Sequence, residues 1–123
     1  MCRVGMRQSI ILLLALTIAA CAKQDESEKL ARDVTSWSAT LQLVADARLR
    51  HAAGAGFATK SIDAAIEELT TEAAAPSLPD GVTARAKRVI GAAGELRQAI
   101  ANDDNAGMLR ARQALAAEAA QSQ

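Results

Sequence analysis

A short apolar run near the N-terminus constrains this chain more than any other stretch. Residues 10–20 form an 11-residue run interrupted only by Thr17, with Arg3 and Arg7 before it and a polar sequence at 23–26. A helix that spans a bilayer needs about 20 apolar residues, so this run is too short to remain as a transmembrane anchor. A basic start, a short apolar run and small residues at its end are typical of a secretory signal peptide.

The end of this segment carries a more specific pattern, formed by Ile18, Ala19, Ala20 and Cys21. It resembles the lipobox of bacterial lipoproteins, and the resemblance covers residues 1–21. It implies cleavage before Cys21, a diacylglyceryl group on the cysteine sulfur and acylation, typically by palmitate, of the new amine. Two or more acyl chains give stable membrane attachment. The alternatives are a buried core helix at residues 10–20 and a secreted protein cleaved without lipid.

The residue after the lipobox indicates where such a protein would be held. Ala22 stands where lipoproteins retained in the inner membrane of enterobacteria-like organisms carry Asp. By that resemblance, we expect an outer-membrane protein that faces the periplasm. In a Gram-positive organism the same motif would anchor the protein to the outer face of its single membrane. The covalent lipid on Cys21 is the only cofactor that we expect.

The charge balance of the remaining chain excludes one large class of partners. Removing residues 1–20 leaves 12 basic and 14 acidic residues, a formal net charge of −2. A nucleic-acid-binding domain would concentrate basic residues on one face, so we expect no nucleic-acid partner. Cys2 leaves with the signal peptide and Cys21 carries lipid, so no cysteine pair is left for a disulfide.

The chain after residue 20 predicts a tether at 21–27 and an all-α domain at 28–123. Apolar residues recur there at helical spacing, and alanine, which is abundant, is the best helix former. We expect helices at about 25–53, 59–74, 77–101 and 104–120, arranged as a small four-helix bundle of two antiparallel helical hairpins. A looser packing of two hairpins is the alternative. The residues expected to cap these helices are Asp25, Thr59 or Ser61, Ser77, and Asp103 or Asp104.

The sequence carries no pattern typical of a catalytic or metal site. His51 is the only histidine and has no nucleophile or ligand partner at a suitable spacing. Two acidic pairs lie four residues apart in the second helix, namely Asp63 with Glu67 and Glu68 with Glu72. A solvated helix face explains them better than a weak cation site. We therefore expect neither an enzyme nor a metalloprotein.

Three residues are candidates for an interface. Trp37 falls within the apolar stripe of the first helix, where a core position is the default and an interface anchor the alternative. Gly91 and Gly94 interrupt the third helix, which indicates either drift among small residues or close approach by another helix. The thin core predicts self-association or stabilisation by a partner. We expect a structural or protein-binding role in the cell envelope. An inhibitor or sensor that binds a ligand, enzyme or toxin between helices is the alternative.

Overall fold

In the residues that the structure describes, the protein is all-α with four helices. The computed structural model describes residues 25–121 with their side chains, and before Asp25 it describes only the helical backbone of the first helix. The helices are α1 (Cys2–Leu49), α2 (Ala55–Ala73), α3 (Asp80–Ala101) and α4 (Asn105–Ala120). The predicted four-helix bundle is confirmed. Asp25–Ser27 already belong to α1, so this part of the expected tether is helical rather than extended, and Asp25 does not start the helix.

The helices pack around one core in an up-down arrangement. Each helix contacts the next along the chain, and α1 also contacts α4, which closes the bundle. Within the described residues, α1 and α3 also contact each other across the bundle, whereas α2 and α4 do not meet. The connections are short, at residues 50–54, 74–79 and 102–104, so successive helices must run antiparallel.

The core is built from the apolar stripes that the sequence predicts. The buried large residues include Leu30, Val34, Leu41, Ile62, Leu69, Val89, Leu96, Met108 and Leu115. Alanines fill the space between them, at positions such as Ala65, Ala86, Ala93 and Ala111. Leu78, Val82 and Ile66 pack against this core and are only partly buried. Two polar side chains, Ser38 and Glu118, are buried in addition.

Two helix ends depend on backbone conformations that the sequence pattern did not indicate. Leu49 ends α1, four residues earlier than predicted, because His51 adopts a left-handed conformation with φ 56°. The amide of Ala52 then donates to the carbonyl of Ala47, as in a Schellman motif. Asp103 ends α3 in the same way, with φ 51°. Gly54, the residue directly after the predicted end of the first helix, is instead the N-cap residue of α2.

The expected helix caps are only partly right. Asp104 caps α4 as predicted, and its Oδ1 accepts a hydrogen bond of 3.0 Å from the amide of Gly107. Thr59 and Ser61 are wrong as caps, because α2 begins at Ala55. Ser77 is also wrong: Pro79 precedes α3 and no side chain caps that helix. Ser77 has φ 69° directly after Pro76, the pattern of a type II turn.

A glycine at a close approach lies in α4, not at the positions suggested by sequence. A Cβ atom at Gly107 would lie 2.5 Å from Asp104 Oδ2 and 3.0 Å from Ala99 Cβ in α3. A Cβ atom at Gly91 or Gly94 would meet nothing within 4 Å. The close helix approach within the bundle therefore involves Gly107. Gly91 and Gly94 make no such approach inside the bundle, so a partner could contact them only from outside it.

Substituting these glycines is expected to change stability in opposite directions. Gly107→Ala should destabilise the protein by about 1–2 kcal/mol, because the new methyl group displaces the capping Asp104 and presses on α3. Gly94→Ala is the matched control, and it should stabilise the protein by up to about 1 kcal/mol through helix propensity. Urea unfolding followed by circular dichroism measures both. Equal stabilisation by the two variants would contradict the close α3–α4 approach.

Candidate functional site

Trp37 lies at the surface of the bundle between α1 and α2. Its ring is partly buried against the core, and its Nε1 donates a hydrogen bond of 3.0 Å to Glu68 Oε2. Trp37 is thus neither a fully buried core residue nor a fully exposed residue of the kind that anchors an interface. One edge stabilises the α1–α2 contact while the other faces solvent.

An acidic cluster surrounds this contact. Carboxylate oxygens of Asp33, Glu68 and Glu72 lie within 4.8 Å of one another, so α1 adds a third carboxylate to a pair that the sequence had placed together. Lys29 Nζ bonds both Asp33, at 3.3 Å, and Glu72. A lysine therefore already supplies positive charge to the cluster. Burial and a hydrogen bond with Asp33 raise the pKa of Glu72, and they outweigh the opposite effect of Lys29.

The remaining candidate residues are dispersed. His51 is exposed in the connection after α1, and its left-handed backbone conformation ends that helix. Asp63 does not act with Glu67; it forms an ion pair of 2.7 Å with Arg97 of α3. No nucleophile lies beside the histidine in the described part of the chain, and the structure does not assemble these residues into one site.

An ion-pair network around the buried side chain of Glu118 in α4 joins three helices. The Glu118 side chain is 8% exposed and faces two arginines of α3, Arg85 and Arg88. Arg85 Nη2 donates to the backbone carbonyl of Glu118 at 2.9 Å and to Thr35 Oγ1 of α1 at 3.3 Å. Hydrogen bonding to Glu118 raises the pKa of Arg88. Sequence analysis missed Glu118, because one acidic residue among alanines gives no sign of burial.

Two grooves flank this network. One lies between α3 and α4, has a volume of about 350 Å³ and is bordered by Arg88 and Glu95. Its floor consists of small residues, namely Gly91, Ala92, Ala114 and Ala117. The exposed Gly91 therefore lies in a surface groove, as an interface residue would, whereas Gly94 is outside its lining.

The second groove lies between α1 and α3 and has a volume of about 500 Å³. It is lined by Ala31, Arg32, Thr35 and Ser36 of α1 and by Arg85 of α3. Arg32 and Glu28 lie one turn apart in α1, but neither residue forms an ion pair within 4.0 Å inside the described range.

The predicted lipobox, formed by Ile18, Ala19, Ala20 and Cys21, lies outside the residues that the structure describes with side chains. Among the described residues, no helix is long and apolar enough to cross a bilayer. Neither family models, nor curated proteins, nor solved structures gave a match to this chain.

Proposed function

We propose that this protein is a lipid-anchored, non-enzymatic lipoprotein of the cell envelope whose helical domain binds another protein chain. The lipobox pattern that ends at Cys21 carries the proposal, because it combines a short apolar run with a cysteine at the expected cleavage point. Leu30, the first buried core residue in the described range, lies nine residues after Cys21, so the domain would be held close to the membrane surface. The proposed site is the outer membrane, on its periplasmic face.

Cleavage before Cys21 is compatible with the packing of α1. Among the residues of this helix that are described with side chains, the buried positions run from Leu30 to Ala45. The described core therefore lies entirely on the C-terminal side of the cleavage point. A chain shortened to Cys21 would keep every described core contact while gaining an acylated N-terminus.

Cys21→Ser is expected to abolish lipid attachment and lipoprotein-type cleavage. The thiolate that accepts the diacylglyceryl group would be absent, so the variant should not incorporate an alkyne-tagged fatty acid. Labelling of cells, followed by membrane fractionation, measures this. A Cys2→Ser variant is the control, because Cys2 belongs to the segment to be removed and its loss should leave labelling unchanged. Equal labelling of wild type and Cys21→Ser would sink the lipoprotein proposal.

The α3–α4 groove is the proposed protein-binding surface, and a second copy of the chain is its proposed occupant. Arg88 and Glu95 stand at the two ends of the groove on α3, seven residues or about 10 Å apart, with Gly91 between them. If two α3 helices crossed antiparallel at Gly91, each Arg88 would face the partner subunit's Glu95. Such self-complementarity is what a two-fold interface requires. Small side chains at the crossing permit close helix approach.

Gly91→Leu should weaken self-association by filling the crossing point. Sedimentation velocity of residues 22–123 over a range of concentrations measures the monomer–dimer equilibrium. Gly81→Leu is a matched control, since Gly81 is also an exposed α3 glycine with nothing within 4 Å of an added Cβ. We expect a concentration-dependent dimer for wild type and Gly81→Leu, and monomer for Gly91→Leu. A wild-type chain that remains monomeric at all concentrations would refute the second copy as occupant.

The alternative function is an inhibitor or sensor that binds a soluble ligand, enzyme or toxin between helices. The 500 Å³ groove between α1 and α3 is the observation that favours it. A pull-down from detergent-solubilised membranes separates the two functions. A stoichiometric membrane protein supports the first, whereas a soluble enzyme or toxin supports the alternative.

A further inference from the structure

We propose that the groove between α1 and α3 binds a phosphate-bearing anion through Arg32 and Arg85. The groove brings two arginines and the Ser36 hydroxyl to one surface, and none of its lining residues is acidic. This inference depends on neither the lipid anchor nor the α3–α4 interface, and it can fail or succeed separately from both.

Arg85 is held in place for such a ligand. Its side chain is 15% exposed, and its Nη2 is fixed by bonds to Thr35 and to the Glu118 carbonyl. Its Nε lies 3.5 Å from Glu118 Oε2 and donates no hydrogen bond. Its Nη1 donates no hydrogen bond inside the described range, so that donor is available to a ligand in the groove. Folding has already ordered this side chain, which reduces the entropy lost on binding.

The charge around the groove is positive. Glu118 is the carboxylate that faces Arg85, and it also binds Arg88, so two arginines share one negative charge. Arg32 adds a further cation, because it has no ion pair within 4.0 Å in the described residues. In α1, Glu28 lies one turn before Arg32 and is exposed, and Asp33, the residue after Arg32, is paired with Lys29.

The donor types favour a phosphate group. Arginine binds phosphate oxygens bidentately through its planar fork and is the preferred residue for that purpose. The Ser36 hydroxyl supplies a further donor. The methyl groups of Ala31 and Thr35, with the aliphatic parts of the two arginines, make the rest of the groove apolar. A phosphate ester with a carbon skeleton fits this combination, either as a free metabolite or as a phospholipid headgroup.

Calorimetric titration of the full-length protein in nonionic detergent tests the site. The two probes are glycerol 3-phosphate, which represents a free ester, and dihexanoyl phosphatidylglycerol, which represents a headgroup. Arg32→Gln should weaken binding about tenfold, as expected for one lost hydrogen bond to a charged group. Arg32→Lys keeps the charge but not the fork, and it should recover part of the affinity.

Arg50→Gln is the matched control. It also removes one exposed arginine, but Arg50 follows the C-terminal end of α1 and does not line the groove. Its affinity for both probes should equal that of wild type. Binding of glycerol 3-phosphate that depends on Arg32 identifies a free ester, and such binding of the lipid alone identifies a headgroup. The site is refuted if neither probe binds, or if Arg50→Gln weakens binding as much as Arg32→Gln.

Discussion

Leu96→Asp is expected to unfold the domain. Leu96 is completely buried in α3, the helix that contacts α1, α2 and α4. An ionised carboxylate at this position would have no partner in an apolar core, and protonating or exposing it would cost several kcal/mol in addition to the lost packing. A small domain has only about 5–15 kcal/mol of stability in total. The variant should therefore lose its helical signal at 25 °C.

Far-UV circular dichroism and thermal melting of residues 22–123 measure this effect. Ala84→Asp is the control, because Ala84 is an exposed residue of the same helix near its N-terminal end, where a negative charge is favourable. That variant should melt within a few degrees of wild type. A native-like melt of Leu96→Asp would show that α3 packs in another way.

Glu118→Ala is expected to destabilise the protein by about 3 kcal/mol. Removing one member of a buried ion pair leaves the other charge without a partner. The loss of stability is then larger than the net stability that the intact pair contributes. Arg85, at 15% exposure, would retain its bond to Thr35 but lose the carboxylate beside its Nε. Urea unfolding by circular dichroism measures the loss. Glu67→Ala, at an exposed position of α2, should change stability by less than about 0.5 kcal/mol.

A double variant separates the cost of an uncompensated charge from the worth of the pair. Glu118→Leu combined with Arg85→Met replaces the pair by apolar side chains of similar size and should be close to wild type in stability. If the double variant is as unstable as Glu118→Ala, the network itself supplies net stability. The interpretation in terms of an uncompensated arginine would then be wrong.

Helical periodicity was sufficient to predict most of the core. Steps of three and four residues put Leu30, Val34 and Leu41 on one side of α1, and the structure buries all three. The C-terminal limit of α3 at Ala101 and the Asp104 cap of α4 were also predictable, because the Asn-Asp-Asp-Asn sequence is a turn with a capping side chain. These features depend only on neighbours within a few residues.

Other features depend on contacts between helices, and the sequence pattern did not indicate them. The sequence does not distinguish Gly107 from Gly91. Only the packing of α3 against α4 brings Ala99 close to Gly107. The end of α1 was also missed, because it depends on a left-handed conformation at His51 rather than on Gly54.

By itself, the sequence determined the all-α fold class of this protein and the approximate position of each of its four helices. It also carries the lipobox-like pattern on which the lipoprotein proposal depends. Charge, apolar run length and helical period are local properties, so they can be read from the sequence alone. Only the tertiary structure decided that Glu118 is buried between two arginines, that Lys29 holds an acidic cluster and that Arg32 and Arg85 line one groove. Each of those groupings joins residues more than 30 positions apart, and folding, rather than spacing along the chain, brings them together.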